Sequence, residues 1–526
     1  MAFHKSAESD DLKLFTKKCV EVAGKSVTLA RLESGYFAVD SVCPHRGGHL
    51  CDGTLKKETG EIVCPLHGWN FDLETGVSPY NPNDCVKSYP VEERADGIYI
   101  DVSPGDEIPT RNDYLEPWRR RVDKLETEME MIHHLADGWV GKHGYTEAMR
   151  SEKVEPLWDR VLFLPKQLAE FPLLDNDPVD LTTVIGKKAK QPITISLPVY
   201  VSHMSFGALS REAKVSLARG SRMAGTMICS GEGGMPPEER AESGTYILEM
   251  ASGYFGWTEE AIGKADGIEI KIGQAAKAGM GGMLPGAKVT DEIASVRGIG
   301  KGKDALSPSR LPDINSVADL RRRVGEIKKM TGGKPVGIKI AAGRIEDDLK
   351  AALECDPDFI TIDGRGGATG AAPKHVKDNI CIPTLYALSR GRNFLDSQGA
   401  DVDLMVTGGL RTPADFAKAI AMGATAVAIA SSALMAIGCQ QYRACSSGNC
   451  PVGIATQDPE LRKRLDVGIS AGKLNNFFTA TGYQLADFAR ICGKGRVGDL
   501  SVDDLATTDN DITKYTTIQH VGEPLS

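Results

Sequence analysis

Cys43-Pro-His45 and Cys64-Pro-Leu-His67-Gly-Trp, with residues 46–63 between them, place two thiols and two imidazoles on loops rich in glycine and proline. Two thiolates on one iron and two imidazoles on the other form the ligand set of a Rieske [2Fe–2S] centre, where imidazole in place of thiolate raises the potential. Gly47, Gly48 and Gly53 let the backbone crowd a cluster, and Trp69 and Phe71 can shield it from water. Zinc also takes Cys₂His₂ sets, but Cys-x-His followed by Cys-x-x-His is an unusual order for a zinc finger. Transfer of single electrons is the expectation.

A second group, Cys439-x₅-Cys445-x₄-Cys450-Pro451, offers three thiolates. Three are too few for a four-cysteine cluster and enough for [3Fe–4S]; zinc with a fourth ligand from elsewhere is the alternative. Just upstream, paired glycines at Gly366-Gly367 and Gly408-Gly409 are followed by the hydroxyls of Ser431 and Ser432. Backbone N–H groups approach an anion closely only where no Cβ intervenes, so these loops suit a phosphate. With Ser205 in Met204-Ser-Phe-Gly they point to a phosphorylated cofactor such as FMN. Lys339, inside an apolar run, can place an ammonium near the flavin N1 and O2; a lysine reaching solvent from a strand end is the other reading.

These residues need a scaffold. Residues 11–103 read as short alternating strands (26–30, 36–39, 61–63, 86–91 and 98–102), a small all-β module closed by Pro104-Gly105-Asp106. Residues 113–171 turn charged, with Leu125, Met129, Ile132 and Leu135 at helical spacing. From about 190 the pattern becomes eight apolar runs, each followed by a helical stretch: 193–201, 226–229, 245–250, 268–272, 336–340, 359–362, 404–406 and 426–429. Eight βα units predict a (β/α)₈ TIM barrel, an α/β architecture, over an open doubly wound sheet. The expected domains are 1–106 for the Rieske module, 107–185 for a helical linker on the barrel, 186–465 for the barrel and 466–526 for a helical extension.

Composition excludes some partners. A formal charge of −9 argues against nucleic acid. No apolar run approaches the roughly 20 residues that cross a bilayer, and the first residues lack the apolar core of a signal peptide. A cytoplasmic protein is expected, its 12 cysteines mostly thiols or cluster ligands, with Cys19, Cys229, Cys355, Cys381 and Cys492 as single buried residues. No Gly-x-Gly-x-x-Gly follows a strand, so no NAD(P)H site is expected here; Gly493-Lys-Gly-Arg-Val-Gly498 follows a helix and reads as a turn.

Met204-Ser-Phe-Gly-Ala-Leu-Ser210, Ser230-Gly-Glu-Gly-Gly234, Ile268-Glu-Ile-Lys-Ile-Gly-Gln274, Leu284-Pro-Gly-Ala-Lys288 and Cys450-Pro-Val-Gly-Ile-Ala-Thr-Gln-Asp-Pro459 resemble the FMN-binding barrel of glutamate synthase and its relatives. Gly234-Met-Pro-Pro-Glu-Glu-Arg240 is similar to the N-methylglutamate synthase barrel. The resemblance covers about 155–465. It implies FMN, a [3Fe–4S] cluster on Cys439, Cys445 and Cys450, and a pocket where 2-oxoglutarate or a related 2-oxo acid meets ammonia or an amine. Lys271 and Lys277 would hold the dicarboxylate beside Gln274, with Lys277 or Glu232 assisting proton transfer. Departures are Ala2, where the large synthases expose a nucleophilic Cys, Met283 in place of a polar Gln, and Leu311-Pro312 in place of a His pair.

The expected reaction is reductive amination by reduced FMN, with electrons relayed through the Rieske and [3Fe–4S] centres. An FMN-dependent amine or amino-acid dehydrogenase exporting electrons through the Rieske module is the alternative, since Rieske potentials run high. A Rieske oxygenase would need a second iron held by two His and a carboxylate, and the histidines after the module do not offer it. An external ferredoxin or reductase, a separate glutaminase subunit and a homo-oligomer are the expected protein partners.

Overall fold

The computed structural model describes residues 3–9, 11–44, 48–57, 59–66, 68–79, 85–103 and 146–524. The chain divides into two compact units, 1–145 with Tyr442–Pro451, and Thr146–Gln441 with Val452–Ser526. The ligand positions His45 and His67, and the helical spacing of 125–135, lie outside the described residues.

The N-terminal unit is built from three small antiparallel sheets. Thr16–Val22, Lys25–Leu32, Gly35–Asp40 and Ser88–Tyr89 form one; Phe3–Ala7, Gly97–Asp101 and Val91–Arg94 a second; Thr54–Lys56, Glu61–Val63 and Asn70–Asp72 a third. Pro90 has no N–H to give a ladder, and it divides the expected strand 86–91 into Ser88–Tyr89 and Val91–Arg94. One expectation fails. Cys19 is exposed and joined to Cys51 in a disulfide, because Thr16–Val22 lies beside the turn Leu50–Asp52 and brings the two Cα atoms to 5.3 Å. That separation lies in the range a disulfide requires.

In the larger unit eight parallel strands close a barrel: β1 (Val199–Val201), β2 (Met227–Cys229), β3 (Thr245–Met250), β4 (Gly267–Lys271), β5 (Val336–Ala341), β6 (Phe359–Asp363), β7 (Asp403–Thr407) and β8 (Ala426–Ile429). All eight expected runs are there. The first is shorter than expected: Ile193–Ile195 pairs antiparallel with Thr183–Ile185 before Pro198 and starts no barrel strand. Ile185, Ile193 and Ile195 pack on Tyr200, Ile247, Phe359 and Met405 to form one apolar core. Gly337 makes room for the Phe359 ring, since an added Cβ would stand 2.1 Å from it.

Residues 146–185, the described part of the expected helical linker, hold Thr146–Glu147, Val161–Phe163, Thr183–Ile185 and a 3₁₀ turn Leu157–Arg160, and no α-helix. Pro156, Pro165, Pro172 and Pro178 interrupt any helix there. Helix α1 (Arg211–Met223) starts at Ser210, whose hydroxyl accepts from the Ala213 N–H. The long helix α2 (Val467–Ile491) seats Leu474 and Ala471 against Gly220 of α1. Among the described residues no helix is long and apolar enough to cross a membrane.

Candidate active site

Side chains alternate along a strand, so Ile247 and Glu249, Glu269 and Lys271, and Phe359, Thr361 and Asp363 share the inner face of the barrel. The lower positions are apolar and the upper ones ionic. Lys271 Nζ lies 2.6 Å from Glu249 Oε1 and 3.1 Å from Glu232 Oε2, and His203 Nε2 lies 2.7 Å from Glu269 Oε2. Thr361 Oγ1 donates to the other oxygen of Glu269, and Lys339 Nζ stands 3.4 Å from Asp363 Oδ2.

Charge in a buried site survives only where it is paired. Burial opposes the ammonium of Lys271, yet Glu249 and Glu232 outweigh it and hold the group well above the usual lysine range. Burial likewise opposes ionisation of Glu249 and Glu269; Lys271 and His203 keep the first carboxyl below its ordinary value, and His203 does so for the second. Lys339 is raised against burial by Asp363 and then Glu269. Lys277 goes the other way, lowered by burial and by the charge of Lys271.

A cleft opens above this layer, lined by Glu232, Lys271, Gln274, Lys277, Ser252 and Arg310. The structure thus brings Glu232, Lys271, Gln274 and Lys277 to one wall. Gln274 Nε2 donates to the Ala368 carbonyl at 3.2 Å, tying the loop after β4 to the loop after β6. Lys277 Nζ has no acid or carbonyl partner among the described residues.

The glycine loops meet as a phosphate site requires. Gly366, Gly408 and Gly409 have φ of +120°, +121° and +90°, and a Cβ on Gly408 would stand 2.3 Å from the Gly364 carbonyl oxygen. Ser431 and Ser432 are buried, and Ser432 Oγ donates to the Leu410 carbonyl at 3.0 Å. The adjacent Arg411 is pushed down to about 10 by burial and then by the nearby charge of Arg150. The loops after β6, β7 and β8 therefore fit the phosphate of FMN, with Lys339 in the barrel mouth.

Cys43 and Cys64 are buried among Leu50, Ile62, Phe71 and Leu73, with Trp69 packed against the group. A Cβ on Gly48 would come within 2.7 Å of Cys64 Sγ, so the first loop lies on the sulfur of the second. The Cys43 N–H donates to Gly48 and the Cys64 N–H to Trp69. These two thiols fit one iron of a [2Fe–2S] centre. Cys439 Sγ accepts from the backbone and side-chain N–H groups of Gln441 at 3.4 and 3.3 Å. Among the described residues no group of three or more His, Cys, Asp or Glu side chains is arranged to hold a metal ion, so the three-cysteine cluster rests on sequence spacing.

His203, Glu249, Glu269 and Arg411 were not assigned from sequence. The available signal was charge inside apolar strands, Ile-Leu-Glu249 and Ile-Glu269-Ile.

A small β-module carrying buried cysteine loops, joined to a glycine-lined barrel with an ionic mouth, defines an iron–sulfur oxidoreductase. Residues 2–90 match the Rieske [2Fe–2S] domain, and residues 143–495 match the conserved region in glutamate synthase. The chain belongs to the glutamate synthase family. It is 38% identical to the archaeal glutamate synthase [NADPH] of Archaeoglobus fulgidus over 465 residues, covering 83% of this chain and 88% of that protein. It is 36% identical to the Methanocaldococcus jannaschii protein of the same name over 450 residues, 79% and 87% of the two chains. The glutamate synthase large subunit-like protein of Rhizobium meliloti is 36% identical, covering 66% and 84%.

Proposed function

We propose that this protein reductively aminates 2-oxoglutarate or a related 2-oxo acid with ammonia or an amine. The observation that carries the reading is the wall of Glu232, Lys271, Gln274 and Lys277 in a barrel of the glutamate synthase family. Bound FMN supplies the hydride, and the Rieske centre with a [3Fe–4S] cluster on Cys439, Cys445 and Cys450 supplies electrons one at a time.

The residues of the chain divide the remaining work. Lys271 has its charge matched by Glu232 and Glu249 and serves to fix Glu232. Lys277 has no such match, so its ammonium takes a substrate carboxylate. Gln274 orients the substrate from a tethered loop. Glu232 lines the cleft 3.1 Å from an ammonium and exchanges the proton that amination requires. Arg411 and Ser431 hold the phosphate of FMN. An external ferredoxin or reductase supplies electrons, a separate glutaminase subunit is a source of ammonia, and the working form is a homo-oligomer.

Anaerobic titration of the reduced holoprotein tests this reading. Addition of 2-oxoglutarate with ammonium is expected to restore the oxidised flavin spectrum and release glutamate. Bleaching of the oxidised flavin by glutamate or a methylated amine, with no response to 2-oxoglutarate, would instead make it a dehydrogenase.

A further inference from the structure

Asn449 belongs to the segment Tyr442–Pro451, which is part of the N-terminal unit although it follows β8 in the chain. Its side chain is 3% exposed, and its Nδ2 has no hydrogen-bond partner among the described residues. An amide donor left without a partner in the interior keeps its full desolvation cost, so such a group calls for an acceptor.

The place of Asn449 points to that acceptor. Gly68, the residue after ligand position 67, has φ of +70°, and a Cβ on it would stand 2.2 Å from the Asn449 carbonyl oxygen and 2.8 Å from the Asn449 Cβ. Ser447 Oγ adds a bond to the Gly68 carbonyl at 3.5 Å. The Gly68 N–H in turn donates to the carbonyl of Cys64, whose thiol is buried. The Asn449 carbonyl and Cβ therefore stand against the loop that carries the second pair of cluster ligands, and the unpartnered amide lies two bonds beyond that Cβ. Sulfur is an acceptor such a loop offers beside its carbonyls, two of which already accept from Ser447 and Gly68, and hydrogen bonds to cluster sulfurs tune reduction potential.

We propose that Asn449 donates its side-chain N–H to the sulfur shell of the Rieske centre and raises the potential of that centre. Reduction adds one negative charge to the cluster, and a donor aimed at sulfur stabilises the charged form more than the oxidised one. Asn449 is a positioning residue in this sense: it moves no electron itself and sets how readily the centre accepts one. The inference rests on the Rieske reading of the two cysteine loops. It adds a determinant from outside the Rieske motif, one position before Cys450.

The test is a redox titration of the full-length holoprotein followed by electron paramagnetic resonance. Asn449→Leu removes the donor at similar size and is expected to lower the reduced-to-oxidised ratio at least tenfold at fixed solution potential, about 59 mV for a one-electron couple. Iron content and the shape of the Rieske signal confirm that the cluster is retained. Asn449→Asp replaces the donor by an anion and is expected to lower the potential further, and it decides the matter if the Leu variant loses its cluster. A potential unchanged or raised in the retained variant overturns the proposal while leaving the Rieske reading intact. A wild-type protein with no Rieske signal overturns both.

Discussion

Lys214→Met probes how the floor of the site is held. Lys214 and Glu239 are 1% and 0% exposed and form an ion pair at 2.8 Å. The same ammonium donates to the carbonyls of Met204 at 2.6 Å and Ser230 at 2.8 Å, the ends of the loops that lead to Ser205 and Glu232. Removing one partner of a buried pair costs about 3–5 kcal/mol, and that is the loss expected at pH 8 by denaturant unfolding. Burial raises the Glu239 carboxyl to about 7, with Lys214 opposing. The folded protein thus keeps a proton that the unfolded chain releases above the ordinary carboxyl value, so stability from this group falls as pH rises towards 7 and then levels. At pH 5 the carboxyl is neutral and the variant no longer strands an anion. Its deficit there is expected to be smaller than at pH 8, because only the two carbonyls left without a donor still count against the variant. Lys214→Met combined with Glu239→Gln removes the stranded anion and is expected to bring the pH 8 deficit down to the pH 5 value. A deficit equal at pH 5 and pH 8, or no recovery in the double variant, would refute the pairing argument.

Other sites give sharper local outcomes. Lys277→Met is expected to raise KM for the 2-oxo acid at least tenfold, about 1.4 kcal/mol, with flavin content unchanged; in the wild type, affinity should fade with rising pH before the ordinary lysine value, since burial lowers this group. Gly48→Ala drives a Cβ to 2.7 Å from Cys64 Sγ, and loss of the Rieske resonance with flavin retained is expected by electron paramagnetic resonance and absorbance. Gly408→Ala combines a φ of +121° with a contact of 2.3 Å to the Gly364 carbonyl. Strain of about 1–3 kcal/mol is expected to appear as flavin lost on gel filtration.

The barrel was legible because its strands are short apolar runs separated by helices, some of them opened by a capping side chain, as at Thr412, whose hydroxyl and Asp415 close a capping box. The glycine pairs and Ser431-Ser432 were legible for a different reason: few residues permit the close backbone approach that Gly366 and Gly408 show. The ionic layer was not legible, because a glutamate inside a strand reads as solvent-facing until closure of the barrel turns it inward. Glu249 and Glu269 are 4% and 1% exposed only because β3 and β4 pair in register. The Cys19–Cys51 bond depends on two elements that meet only in the folded sheet. Asn449 escaped notice because its partner loop lies at the other end of the sequence.

One measurement bears most directly on the claim that cluster electrons reach a barrel flavin and reduce a 2-oxo acid. Wild-type protein, with iron and flavin quantified, is reduced by one-electron donor under argon and mixed with 2-oxoglutarate and ammonium in a stopped-flow cell. The account predicts a reduced flavin that reoxidises in step with glutamate formation, while the Rieske-depleted Cys43→Ser variant accepts electrons from the donor slowly. Iron-replete protein without flavin, or reduced flavin that stays bleached in the presence of both substrates, would contradict it.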